Sequence, residues 1–157
     1  MQHRMKTHQL APSQIEALLD KQGVGVLATV NADGTPYVTP IHFVHHKGAV
    51  YFHGLPAGQK LDNLDRDNRV GFTVYRMDGL LLDEHENPCD TNTGYESVII
   101  SGRASRVDDP ERKSEILATV VRKYTPHLLG REIPAAMVKG TAVVEVVVDT
   151  VSGKYWA

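Results

Sequence analysis

Short apolar runs broken by strong turn signals, rather than long stretches of helical periodicity, most constrain how this chain folds. Val24 to Val30 is such a run, and Asn31-Ala32-Asp33-Gly34 closes it with a hairpin-type turn. Tyr37 to His45 resumes with β-branched and aromatic residues. His46-Lys47-Gly48 turns the chain again into Val50-Tyr51-Phe52-His53, and the three runs predict an antiparallel meander. Pro36 and Pro40 lack a ladder donor, which predicts that they lie at a strand start, an edge or a bulge. Val70 to Tyr75 alternates Val70, Phe72 and Val74 against Gly71, Thr73 and Tyr75, the period of a strand with one buried face. Tyr95 to Val107 reads as a long strand bent at Gly102, and Thr141 to Val148 as the strongest strand. Between them Met77 to Gly94, rich in Asp, Glu, Asn, Pro and Gly, reads as a long excursion of the kind that often carries function. The total is about six strands, mostly antiparallel, and closure into a closed or split barrel removes their exposed edges.

The helices are few and short. Pro12 to Lys21 carries Ile15, Leu18 and Leu19 on one face, Ser13 with Glu16 in capping-box spacing, and Gly23 beyond its end. Gly58 to Asp67 presents Leu61 and Leu64 to a core. A third helix starts at Asp108-Asp109-Pro110, with proline at its favoured first position and a stripe of Ile116, Leu117, Val120, Val121 and Tyr124. The chain reads as one domain over residues 1–157, with the first ~10 residues expected to be loose, as termini commonly are.

Composition narrows the function. Lys and Arg total 17 against 19 Asp and Glu, for a net charge of −2, which argues against a protein whose main work is holding nucleic acid. One cysteine, Cys89, excludes an intrachain disulfide and any multi-cysteine metal site. No apolar run approaches the ~20 residues of a membrane span, and MQHRMKTHQL lacks the core of a signal peptide, so a cytoplasmic protein is expected.

Eight histidines invite a metal reading, but no HExxH motif or Cys/His pair supports one. His45 and His46 read as solvated turn residues, and His42 and His53 as partly buried on neighbouring strands. The most informative segment is His53-Gly54-Leu55-Pro56-Ala57-Gly58-Gln59-Lys60. A strand ends, a glycine-bearing loop follows, and a helix begins with lysine in its first turn. Backbone amides and a cation there suit a phosphate, although the same pattern fits a plain surface loop. Cys89 has no His/Asn arrangement beside it and reads as a loop thiol.

Taken in order, these segments resemble the flavin-binding split-barrel proteins related to pyridoxamine 5′-phosphate oxidase, and within them the nitroimidazole-resistance branch. The resemblance is carried by Gly23-Val24-Gly25-Val26-Leu27-Ala28-Thr29 and Gly34-Thr35-Pro36-Tyr37-Val38-Thr39-Pro40-Ile41. It continues through Tyr51-Phe52-His53-Gly54, Gly58-Gln59-Lys60-Leu61-Asp62-Asn63-Leu64 and Val70-Gly71-Phe72. Pro88-Cys89, Tyr95-Glu96-Ser97-Val98-Ile99 and Gly102 complete it.

The resemblance implies a mainly β fold, an antiparallel split β-barrel of about six strands with peripheral helices, of the FMN-binding type. It implies a homodimer with FMN at the subunit interface. Tyr37, Val38, Thr39, Pro40, Ile41 and His42 would line the ring, and His53, Gly54, Gly58, Gln59 and Lys60 would hold the phosphate. Ser97 would reach the flavin from the partner subunit. The activity implied is that of an FMN-dependent oxidoreductase, with 5-nitroimidazole-type nitro-aromatics as candidate acceptors and NAD(P)H as candidate donor. His42 is the candidate proton-supplying residue. Tyr37, His42 and Glu96 stand where the oxidases carry basic residues, and no cationic contacts for a vitamin B6 phosphate ester are evident. The alternatives are a flavin-binding or sensing module without turnover, a haem-binding split barrel, and a deazaflavin in place of FMN.

Overall fold

The computed structural model describes residues 4–157, with side chains from Lys6 onward. In chain order the elements are α1 (Arg4–Thr7), α2 (Pro12–Lys21), β1 (Val24–Val30), β2 (Pro36–His42), β3 (Val44–His46), β4 (Ala49–Gly54) and α3 (Gln59–Arg66). They continue with β5 (Arg69–Leu81), β6 (Asn92–Arg106), α4 (Pro110–Tyr124), a 3-10 turn (Pro126–Leu128), α5 (Ala135–Gly140) and β7 (Ala142–Trp156). One seven-stranded sheet runs β2-β1-β5-β6-β7-β4-β3, and every strand pair is antiparallel. The two edge strands, β2 and β3, are neighbours in sequence, and β2 touches β4 across the split without a ladder. This is the antiparallel split barrel with peripheral helices that the sequence implies, with seven strands where about six were expected.

The interior follows from the period-2 pattern. Leu27, Ile41, Val50, Phe52, Val70, Phe72, Val74, Val98, Ile100, Val144 and Val146 point inward, and α2 closes one end with Leu18 and Leu19. Gly25 is required here: a Cβ would stand 2.3 Å from Cζ of Phe72, whose ring meets that of Phe43 edge-on at 4.9 Å. A second cluster lies outside the barrel, where Val44, Ala49, Tyr51 and Val143 pack beneath Ile116 and Leu117 of α4 and Val138 of α5. On the outward face of β1, β5 and β6, Val24, Val26, Tyr75, Met77 and Ile99 are exposed.

Several expectations are corrected. The meander stops at β2, because Phe43 has no place in the β1–β2 or β3–β4 ladder, and β4 pairs with β7 instead. His45 and His46 are not turn residues. They sit half-buried on β3, with His46 Nε2 2.8 Å from Glu115 Oε1 and His45 Nδ1 3.6 Å from Asp20 Oδ1. The Met77–Gly94 excursion is ladder at both ends and loop over residues 82–91: a bulge between Met77 and Gly79 lets β5 and β6 continue pairing to Leu81 and Asn92. The cap of α2 is Gln14, whose Oε1 accepts from the Ala11 amide at 2.8 Å, rather than the Ser13–Glu16 pair. The C-terminus is strand through Trp156. The looseness expected of the first residues lies outside the described residues for 1–3. From His8 onward the chain is laid on β7 by Tyr155 N–H to His8 O at 3.0 Å and Leu10 N–H to Gly153 O at 3.1 Å. The proline expectation holds, since Pro36 opens β2 and Pro40 lies on that edge strand.

Candidate functional site

The site begins with the alternation of β2. Val38, Pro40 and His42 face outward and are exposed, while Tyr37 and Thr39 are half-buried on the opposite face. Ile41 is a core residue, 7% exposed. Its side chain therefore cannot line a ligand site, and only its backbone remains for that role. His53, exposed at the end of β4, stands close enough to His42 to feel its charge. Loss of hydration, and secondarily the like charge of His42, hold the His53 imidazole below its ordinary pKa. The two histidines thus come from strands that are not hydrogen-bonded neighbours.

Beyond Gly54 the chain turns through Gly58, whose φ of 142° suits glycine, and enters α3. The first intrahelical bonds run from the Leu61 and Asp62 amides to Gly58 O, so the Gln59 and Lys60 amides precede them and face out of the helix end. Lys60 is half-buried, and among the described residues its ammonium has no hydrogen bond or ion pair. Cations are ordinarily disfavoured at this end of a helix. An uncompensated lysine here makes a local positive corner.

A polar network that sequence reasoning did not identify fixes this corner to the β1–β2 hairpin. Asn63, 3% exposed, donates from Nδ2 to Thr29 Oγ1 and to Asn31 Oδ1, each at 3.0 Å. Gln59 Nε2 donates to the same Asn31 oxygen at 2.9 Å. Arg66 donates to Val30 O at 2.7 Å and to Asn63 Oδ1 at 3.0 Å. The available signal was an asparagine on the core-facing stripe of α3 between Leu61 and Leu64, because a buried amide needs partners.

Ser97 lies elsewhere. On β6 it pairs with Tyr75 of β5 and Lys154 of β7, on the outward face, and β1 and β5 separate it from β2, roughly 14 Å at the usual strand spacing. It is 7% exposed, and its Oγ is buried with no hydrogen-bond partner among the described residues. Around it, Tyr75 and Tyr95 stack at 5.6 Å and 27°, and the Lys154 ammonium sits 5.7 Å from the Tyr95 ring centre. One chain therefore carries two separate halves of the expected site: the β2–His53–Lys60 corner and the Ser97 patch.

Other clefts are lined by charged residues. One of 810 Å3 between α3, β5 and β6 is lined by Arg66, Arg69, Arg103 and Arg106 with Asp65, Asp67 and Asp108. Its arginines Arg106 and Arg69 are paired with Asp65 and Asp67, each at 2.7 Å. Another, of 440 Å3, holds His46, Lys47, Tyr51, Arg112, Glu115 and Glu145, again as mutual pairs. Cys89 is exposed in the β5–β6 loop. Among the described residues no group of three or more His, Cys, Asp or Glu could hold a metal ion, and no helix is long and apolar enough to cross a membrane.

The antiparallel barrel split between β2 and β4, with an anion-suited helix start beside the split, defines the class: a split-barrel protein of the pyridoxamine-phosphate-oxidase type. Residues 11–155 match the family model described as pyridoxamine 5′-phosphate oxidase. The chain belongs to that family. No curated protein sequence matches it significantly. Among solved structures, a candidate 5-nitroimidazole antibiotic resistance protein from Bacteroides thetaiotaomicron VPI-5482 is 25% identical, with a TM-score of 0.79 over 94% of this chain and 86% of that one. A flavocytochrome from Azotobacter vinelandii superimposes with a TM-score of 0.85 at 24% identity, over 100% of this chain and 72% of that one. An FAD- and haem-binding protein from Mycobacterium smegmatis also gives 0.85, at 20% identity, over 94% and 73%. The likeness to the nitroimidazole-resistance branch read from the sequence thus recurs in the structure.

Proposed function

We propose that this protein is a flavin-binding oxidoreductase, acting as a homodimer that holds FMN between its subunits and reduces nitro-aromatic compounds of the 5-nitroimidazole class. The observation that carries the reading is Ser97. A hydroxyl buried without a partner costs about 1–3 kcal/mol. This one is buried beneath the outward face of β5 and β6, where Tyr75, Met77 and Ile99 are exposed, which supports a partner brought by a second copy. A second copy bringing its own β2 corner against this face supplies both the cover and a polar ring edge.

The chain's residues fit a flavin mononucleotide. Lys60, without a counter-ion, and the free amides of the α3 start suit the phosphate. The Asn63 network keeps that helix start in place. Val38 and Pro40 offer a flat apolar edge for the ring, with the backbone of Ile41 between them and His42. His53, held below its ordinary pKa, is neutral at neutral pH and can hydrogen-bond without adding charge. His42 holds an exchangeable proton at an imidazole nitrogen in the same corner. A bound flavin supplies two-electron transfer from NAD(P)H to a nitro group. A vitamin B6 phosphate substrate fits less well, since Arg69, Arg76, Arg103, Arg106 and Arg112 are already paired with carboxylates.

The test is the visible absorption spectrum of the purified protein, followed by mass spectrometry of the released ligand. FMN bound to a dimer, with nitro-aromatic-dependent consumption of NAD(P)H, is the expected result. A protein that stays colourless after addition of FMN rejects the cofactor, and a monomer rejects the shared site. A flavin-loaded dimer without turnover reduces the reading to a binding module.

A further inference from the structure

We propose that Tyr124 is a positioning residue for the cofactor-facing end of β2: its hydroxyl takes the place of the ladder rung at which β2 stops, and its ring carries the His42 imidazole. The consequence for flavin binding rests on the functional reading above, while the positioning itself can be tested without a flavin.

The β1–β2 ladder ends at the pair Val24↔His42. In the same register the next rung would join Gly23 to Phe43. The Tyr124 hydroxyl stands there instead. It accepts from the Phe43 amide at 2.9 Å and lies 2.7 Å from Gly23 O and 2.6 Å from Phe43 O, two acceptors sharing its one proton. A side chain 81 positions away in sequence thus occupies both sides of a rung that backbone would otherwise fill. Burial raises the pKa of this phenol, which keeps it protonated and able to donate.

The inserted hydroxyl carries the strand alternation through the break. Phe43 turns into the barrel against Phe72, while Val44 packs under α4 and His46 reaches Glu115 of α4, on the same outer face as His42. His42 is the last outward residue of β2. Its ring then rests on that of Tyr124, 5.1 Å between centroids and tilted by 52°. Lys123 braces the same point from the other side: its ammonium lies 3.9 Å from the centre of the Phe43 ring and donates to Leu19 O at 3.0 Å, near the C-terminus of α2.

The test is amide exchange and the NMR spectrum of flavin-free protein, comparing wild type with Tyr124→Phe, which keeps the ring and loses the hydroxyl. The expected result is that the Phe43 amide, protected in the wild type like the β1–β2 ladder, exchanges at the rate of an open loop in the variant. In flavin-loaded dimer, the same variant is expected to release FMN about tenfold more readily. Unchanged protection of the Phe43 amide in a folded variant overturns the proposal. If Tyr124→Phe does not fold, amide exchange in the wild type decides. Protection of the Phe43 amide equal to that of the β1–β2 ladder supports the inserted rung, and exchange at the rate of an open loop overturns it. Should the wild type bind no flavin, the functional reading fails, and exchange of the Phe43 amide still decides the role of Tyr124.

Discussion

Lys123 offers a sharp test of how tightly α4 is seated. Burial lowers its pKa to about 8 from the ordinary 10.5, with Asp20 acting weakly in the opposite direction. Below pH 8 the folded protein therefore carries a charge it holds unfavourably. Between pH 8 and 10.5 the unfolded chain keeps a proton that the folded chain has lost, so stability rises with pH across that window. Fully shielded, the gap would be worth about 3 kcal/mol. Lys123 is half-buried, and screening reduces this to about 1–2 kcal/mol, of which about 1 kcal/mol is gained by pH 9.5. Tyr51 and Tyr124 act in the opposite sense at higher pH, because their raised pKa values make the folded state keep protons that the unfolded chain releases near ~10. The measurement is therefore urea denaturation between pH 7 and 9.5. Lys123→Met serves as the reference, since it removes the titration and keeps the length of the side chain. The expected outcome is a difference between wild type and variant that moves in favour of wild type by about 1 kcal/mol over this range. A difference constant to within about 0.3 kcal/mol would show that Lys123 is hydrated, and the close seating of α4 on Phe43 would be wrong.

Lys60→Ala is expected to weaken FMN binding about ten- to a hundredfold while leaving riboflavin binding unchanged, measured by fluorescence quenching; equal losses for both ligands would remove the phosphate role. Ser97→Ala is expected to raise the stability of flavin-free monomer by up to about 1 kcal/mol by deleting an unpartnered hydroxyl, and to lower flavin retention in the dimer. A loss of stability in the free chain would mean that Ser97 is satisfied internally. Asn63→Ala is expected to cost about 2–3 kcal/mol, since it leaves Thr29 and Asn31 without their shared donor, and thermal denaturation reads it directly. Gly25→Ala is expected to cost about 1–3 kcal/mol through overpacking on Phe72; a neutral result would show that the Phe43–Phe72 pair moves aside freely.

What could be read in the sequence was local. Pro12 and Gly23 bracket α2 because they act on their own backbone, and the Val70–Val74 alternation reports a buried face directly. What could not be read depends on distant partners. Nothing within residues 41–46 signals that β2 stops at His42, because the interruption is Tyr124, brought in from α4. Ser152-Gly153 resembles a turn, yet it is strand: a Cβ at Gly153 would lie 2.8 Å from Ile15 and 2.9 Å from Leu10, so that glycine serves close packing against α2. Asp78 and Gly79 resemble a loop because a bulge absorbs them without ending the ladder. The place of Lys60 in the first turn of a helix was legible. The Asn63 network was not, since its partners lie on the β1–β2 hairpin more than 30 positions away.

The barrel's two free edges, β2 and β3, are joined through the single residue Phe43. The slit beside the histidine pair therefore works like a hinge with one pin. Its opening is set by one pair of backbone torsions and by the hydroxyl that holds them. A residue inserted beside Phe43 would shift β2 and β3 by one position relative to each other, turning His42 or Val44 to the wrong face. Insertions of the same size in the β5–β6 loop, at Asp83 to Asp90, would leave the slit unchanged. Length variation in related chains should therefore collect in that loop and be absent between His42 and Val44.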